Sequence, residues 1–211
     1  MRVLVFDTET TGLPASRHAS YTEVDKWPHI VQLSFVLYDI ESRELLAARD
    51  YIIGLPSGVH ITPGSQKIHG ITESRCRRHG VPLVAALTEF VRIREKADIV
   101  VAHNLSFDKR VLLSSAVRSG FGTRLFGGAK EFCTMESSKD IPVVVATNSR
   151  GPYNKFPTLV ELHRHLFNGA SPRGMHDSLA DVLICLRCYA MLVHGLDVVP
   201  SLPSLYQEYA F

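Results

Sequence analysis

Short apolar runs and longer stretches of helical periodicity divide this chain into elements. Arg2 to Thr8, apolar from Val3 to Phe6, predicts a strand covered on both faces, the central position of a sheet. Ile30 to Ile40 and Leu45 to Ile53 predict two more strands. Leu83 to Lys96 places Val84, Leu87, Val91 and Arg94 at helical spacing. Ile99 to Ala102 predicts a short buried strand, Phe107 to Ser119 a helix stopped by Gly120, and Phe132 to Met135 a further strand. Thr158 to Phe167 predicts a helix with Thr158 as N-cap. Leu179 to Val193 predicts a helix with Leu179, Val182, Leu183 and Leu186 on one face and Gly195 just past its end.

Three stretches read as loops: Leu13 to Pro28, Leu55 to Ser65, and Ser137 to Pro157. The apolar patch Ile141 to Ala146 inside the third predicts a short strand or a flap. Three early hairpin-linked strands followed by alternating helix and strand predict a mixed α/β domain. The first three strands should be antiparallel, and the strand after the Leu83 helix parallel to the first. Residues 1–195 form the expected domain, and 196–211 an arm packed on it or extending from it.

Composition narrows the class. With 211 residues, 45% hydrophobic and 21% charged, the chain can bury a sizeable core, and coiled-coil, collagen-like and disordered architectures are excluded. No apolar run approaches the ~20 residues that span a bilayer, and no apolar signal segment precedes Asp7. Four cysteines without a framework point to a reducing, intracellular setting: cytoplasmic, or nuclear or organellar in a eukaryote. The net charge of +2 makes any nucleic-acid partner a matter of a local site.

Three clusters of polar residues interrupt this pattern. The first strand ends Asp7-Thr8-Glu9. Residues two apart on a strand share a face, so two carboxylates stand side by side on a central strand. Their repulsion is relieved by a divalent cation, and hard oxygen donors suit Mg²⁺ or Mn²⁺ better than zinc. The bland alternative is a strand emerging into solvent. Asp108, in His103-Asn104-Leu105-Ser106-Phe107-Asp108, falls at the start of a helix after a strand, where ligands collect in open α/β sheets; a first-turn acid favoured by the helix dipole reads the same way. His176 and Asp181 are five apart, which turns ~140° on a continuous helix. They converge only if His176 lies on the lead-in segment after Gly174; otherwise it is a surface histidine near a helix start.

Taken together, Asp7, Glu9, Asp108, Asp181 and His176 resemble the site of the DEDDh 3′→5′ exonucleases, a family that includes the proofreading subunit of bacterial DNA polymerase III. Phe6 to Leu13, Ile68-His69-Gly70-Ile71-Thr72, His103 to Asp108 and His176 to Asp181 each resemble a family motif, over Met1 to about Gly195. The resemblance implies a ribonuclease-H-like sheet flanked by helices and two Mg²⁺ or Mn²⁺ ions ~3.5–4 Å apart. It further implies Asp7 bridging the ions, Glu9 and Asp181 completing one site, Asp108 serving the other, and His176 as general base. The substrate grip would come from the backbone at Thr10, Thr11 and Gly12. Leu13, Ile68 and His69 would pack against terminal bases, with Asn104 and Phe107 in support; core packing is the alternative for Leu13 and Phe107. The implied activity is release of 5′-mononucleotides from single-stranded DNA 3′ ends, in proofreading or repair, with a DNA polymerase as a partner the family suggests. An exoribonuclease of the RNase T or oligoribonuclease kind, and a non-catalytic nucleic-acid-binding module, are the alternatives. Ser178 and the long Leu13 to Pro28 insertion depart from the family pattern, and the insertion lies where it could shape strand entry.

Overall fold

The computed structural model describes residues 1–141, 144–148 and 151–210. Its centre is a five-stranded sheet in the order β3-β2-β1-β4-β5. The strands are β1 (Arg2–Thr10), β2 (Ile30–Asp39), β3 (Glu44–Ile52), β4 (Ile99–Ala102) and β5 (Lys130–Cys133). β1, β2 and β3 pair antiparallel, while β4 lies parallel to β1 and β5 parallel to β4. This is the mixed sheet that the sequence pattern predicts, in the ribonuclease-H-like form that the family resemblance implies.

Alternation along β1 divides the interior. Leu4 and Phe6 face a core with α3 (Leu83–Arg94) and α4 (Leu105–Arg118), through Leu87, Phe90, Val111 and Leu112. Val3 and Val5 face a second core with α6 (Leu159–Leu166) and α7 (Ser178–His194), through Leu162, Val182, Leu183 and Leu186. Because both faces of β1 are covered, its sequence is a continuous apolar run.

Several expectations need correction. The second loop ends at Thr62, not Ser65, because Pro63 starts α1 (Pro63–His69) and Thr62 caps it by accepting from the Ser65 amide. α2 (Glu73–His79) follows, capped by Thr72. Seven residues are too few to display helical periodicity, and Pro63, which punctuates a loop, is equally suited to a first helical position. β1 runs on to Thr10, and α4 begins at Leu105 after Asn104 takes a left-handed φ of 67°. The expected strand Phe132 to Met135 ends at Cys133, where α5 (Thr134–Ser137) begins. The third loop carries a hairpin of β6 (Val145–Asn148) and β7 (Gly151–Asn154). Pro142 and Val143 of the expected apolar patch, and Phe211 of the arm, lie outside the described residues. The arm contains α8 (Pro203–Tyr209), whose buried Tyr206 donates its hydroxyl to the Leu183 carbonyl of α7 at 2.7 Å. All four cysteines are buried and free, Cys185 and Cys188 inside α7.

Candidate active site

The continuation of β1's alternation builds the site. Asp7 and Glu9 follow Val3 and Val5 on the α7 side, and Thr8 follows Leu4 and Phe6 on the α4 side. Asp108, in the first turn of α4 and 3% exposed, accepts from the Thr8 amide at 3.2 Å and from Thr8 Oγ1 at 2.7 Å. β1 and β4 run parallel, so the end of β1 and the start of the helix after β4 meet at the same sheet edge.

α7 brings the other two groups. Asp177 caps it, its Oδ1 accepting from the Leu179 and Ala180 amides. Ser178 Oγ donates to the Asp7 carbonyl at 2.9 Å and fastens the helix start to β1. His176 lies on the lead-in segment with a left-handed φ of 70°, off the helix as its spacing requires. Its amide donates to Asp181 Oδ2 at 3.2 Å. One ligand atom from each of Glu9, His176 and Asp181 lies within 4.8 Å of the others. Asp181 is 9% exposed, and its Oδ1 is buried with no hydrogen-bond partner among the described residues.

Burial raises each of Asp7, Glu9, Asp108 and Asp181 above the ordinary carboxylate range. Burial, then repulsion from Asp7, Asp181, Asp108 and Asp177, pushes Glu9 up to about 9. Asp181 and Asp108 are raised by burial first and by Asp7 second. Asp7 is raised mainly by burial, offset in part by hydrogen bonding. A nest of carboxylates with a buried, unpartnered oxygen is satisfied either by protons or by cations. Hard oxygens with one exposed imidazole fit divalent ions of the Mg²⁺ or Mn²⁺ kind.

The expected substrate residues divide into two groups. Thr10, Thr11 and Gly12 are internally engaged. The Thr10 carbonyl faces His69 Nε2 at 3.2 Å, the Thr11 amide donates to the His29 carbonyl, and the Gly12 carbonyl accepts from Thr10 Oγ1. A Cβ at Gly12 would meet Thr62 Cγ2 at 3.2 Å, so the cap of α1 already asks for a small residue there. His69 uses both ring nitrogens, donating from Nε2 to Thr10 and accepting the Ile71 amide at Nδ1; it holds the end of α1 to β1. Leu13 and Ile68, by contrast, are 81% and 57% exposed, large apolar side chains with no core role. Phe107 is half-buried against the α3–α4 core, and with Asn104 and Leu13 it lines a pocket at the start of α4.

A family model described as exonuclease, of the RNase T type, matches residues 4–189. The chain belongs to this exonuclease family. No curated protein sequence gives a significant match. Among solved structures, E. coli Exonuclease I in complex with a dA16 oligonucleotide is similar over 98% of the exonuclease chain and 42% of its own, with 17% identity and a TM-score of 0.64. Its complex with a 5cy-dT13 oligonucleotide covers 98% and 42%, at 16% identity and a TM-score of 0.68. Exonuclease I from Methylocaldum szegediense covers 94% and 42%, at 17% identity and a TM-score of 0.63. At this identity the likeness is one of fold, and the exonuclease spans about 42% of the length of these proteins.

Three polar groups at the site escape the motif reading. Thr8, between the two acids of β1, supplies the donors to Asp108. Asp177 adds a fifth carboxylate; its N-cap signature before an apolar run was the available signal. Gln32, opposite Glu9 on β2, accepts the Ser178 amide at 3.3 Å and donates to Asp50 at 2.8 Å, a link that no linear pattern reveals.

Proposed function

We propose that this protein is a divalent-metal-dependent 3′→5′ exonuclease that releases 5′-mononucleotides from single-stranded DNA. The observation that carries the reading is the grouping of Glu9, Asp181 and His176, with Asp7 and Asp108 close enough to raise the Glu9 carboxyl and the Asp181 Oδ1 oxygen buried without a partner among the described residues. These four acids would hold two Mg²⁺ or Mn²⁺ ions. When bound, such ions neutralise the scissile phosphate and favour ionisation of the attacking water.

The chain's own groups do the rest. His176, exposed beside Glu9 and Asp181, takes the proton of the attacking water and passes it to solvent. Its amide keeps Asp181 aimed into the cluster, and Thr8 keeps Asp108 there. The exposed side chains of Leu13 and Ile68 offer apolar surface to terminal bases, a contact indifferent to sequence. The single-stranded DNA bound to the similar Exonuclease I structures supports DNA as the polymer. A role in proofreading or repair, with a polymerase partner, follows the motif resemblance alone. A second reading, trimming of RNA 3′ ends, is favoured by the RNase T type of the family model.

Matched DNA and RNA oligomers, each labelled at one end, test both readings when incubated with Mn²⁺ or with EDTA. A ladder of 5′-labelled DNA shortened one nucleotide at a time, absent in EDTA and absent for Asp7→Asn, is the expected result. Faster loss of RNA would select the second reading. Metal-independent cutting, or endonucleolytic products, would overturn both.

A further inference from the structure

Strand β2 is buried along almost its whole length, yet Gln32, 1% exposed, and the fully buried Ser34 interrupt its apolar sequence. The pairing with β1 sets Gln32 opposite Glu9 and Ser34 opposite Asp7. Cross-strand partners share a face of the sheet, so both lie on the α7 side with the two acids. On the other flank of β2, Ser34 pairs with Asp50 of the edge strand β3, where Asp50 is exposed. A polar row thus crosses the sheet from the acids of β1 to a carboxylate at its edge.

Buried polar groups persist where hydrogen bonds satisfy them, and the Gln32 amide is engaged on both sides. Its Oε1 accepts the Ser178 amide at 3.3 Å. Its Nε2 donates to Asp50 Oδ1 at 2.8 Å and faces Asp177 Oδ2 at 3.5 Å. Ser34 Oγ donates to the same Asp50 oxygen at 2.7 Å. These partners fix the amide's orientation, because turning it over would set its oxygen against two carboxylates. The residue type follows from the same contacts. Leucine or methionine at position 32 would fill the space but leave the Ser178 N–H, a first-turn donor that no helical carbonyl reaches, without its acceptor. Glutamate would accept that N–H but bring a further charge opposite Glu9 and against Asp50 and Asp177. The segment so held is the start of α7, with His176 just ahead of it and Asp181 in its first turn.

We propose that Gln32 is a positioning residue of the nuclease: through its amide, Asp50 at the sheet edge holds the start of α7, and with it His176 and Asp181, against the acids of β1. The proposal rests on the nuclease reading above.

A double-mutant cycle of Gln32→Met and Asp50→Ala tests it, with thermal melts to check that each variant folds. Each single variant should lower kcat on a 5′-labelled dT12 oligomer with Mn²⁺ by about tenfold or more, since a small misplacement of reacting groups is enough. KM should change by less than about twofold, as for an interaction that aligns rather than binds. In the double variant the losses should not multiply, and kcat should match that of Gln32→Met within about twofold. Mn²⁺ affinity without substrate, read from loss of the free-ion EPR signal, should fall about tenfold in Gln32→Met and follow the same cycle. Should Gln32→Met not fold, Gln32→Glu keeps the volume and the Ser178 contact while reversing the contact to Asp50, and the same losses are expected. A merely structural Gln32 would lower the melting temperature and leave kcat and Mn²⁺ affinity unchanged. Parent-like kcat and Mn²⁺ affinity in the folded Gln32 variant, or losses that multiply in the double variant, would overturn the proposal. A parent that binds Mn²⁺ but cuts no DNA would sink the nuclease reading alone, and the Mn²⁺ cycle would then decide the positioning role; a parent that binds no Mn²⁺ would overturn it as well.

Discussion

Replacing Glu9 by Gln should stabilise the metal-free protein at alkaline pH while abolishing its activity. Glu9 titrates at about 9 in the folded chain against an ordinary 4.5. Between those values the folded protein holds a proton that the unfolded chain has released, so stability falls as pH rises from 4.5 towards 9. At pH 8 the penalty is at most about 5 kcal/mol, at about 1.4 kcal/mol per pH unit. Water reaching the partly exposed side chain screens a share of it, leaving about 2–5 kcal/mol. Gln copies the protonated acid in shape and charge and avoids the penalty. For a chain this long, with roughly 2–4 °C per kcal/mol, the melting temperature should rise by about 4–20 °C. The assay is a set of thermal melts of parent and variant in EDTA from pH 4.5 to 9. The gain should be absent at pH 4.5 and grow steadily with pH. Millimolar Mn²⁺ should narrow or reverse it, because the intact acid gains more from the ion. Equal melting temperatures at pH 8, or a gain of the same size at pH 4.5, would refute this electrostatic account of the cluster.

Other perturbations probe separate parts of the site. His176→Ala should lower kcat by about 10²–10⁴ with little change in KM, read from steady-state hydrolysis with Mn²⁺. Thr8→Val keeps the shape but takes the hydroxyl from buried Asp108, and should cost about 1–3 kcal/mol in a denaturant melt together with much of the activity. Gly174→Ala forces a side chain onto a φ of 70° and brings Cβ within 2.3 Å of the Tyr209 carbonyl oxygen; a loss of about 2 kcal/mol or more is expected in the same melt.

The acids of the site were legible because each lies at the end of an element with a strong pattern. Asp7 and Glu9 close an apolar run, Asp108 opens the helix after a short strand, and Asp181 lies one turn into a long periodic helix. Helical geometry made the convergence of His176 with Asp181 conditional on a lead-in segment outside the helix, and the structure places His176 on one. Helices α1 and α2 were not legible, since seven residues span two turns and their best markers, Thr62-Pro63 and Thr72, also mark loops. The roles of Thr8, Gln32 and Ser178 depend on which strand and helix lie opposite, and a linear sequence does not carry that. Leu13 remained open between core and surface, because one apolar residue in a loop has no periodicity to judge it by; its 81% exposure decides for surface.

The link between residues 173–174 and 209–210 couples the two ends of the second core. The Arg173 amide donates to the Ala210 carbonyl, and Gly174 abuts the Tyr209 carbonyl, two residues ahead of His176. The tail thereby acts as a backstop for the imidazole's segment. A proteolytic nick ahead of α8 should therefore slow turnover through His176 and through the Asp181 carboxylate that its amide holds, while Asp7, Glu9 and Asp108 stay anchored on their own elements.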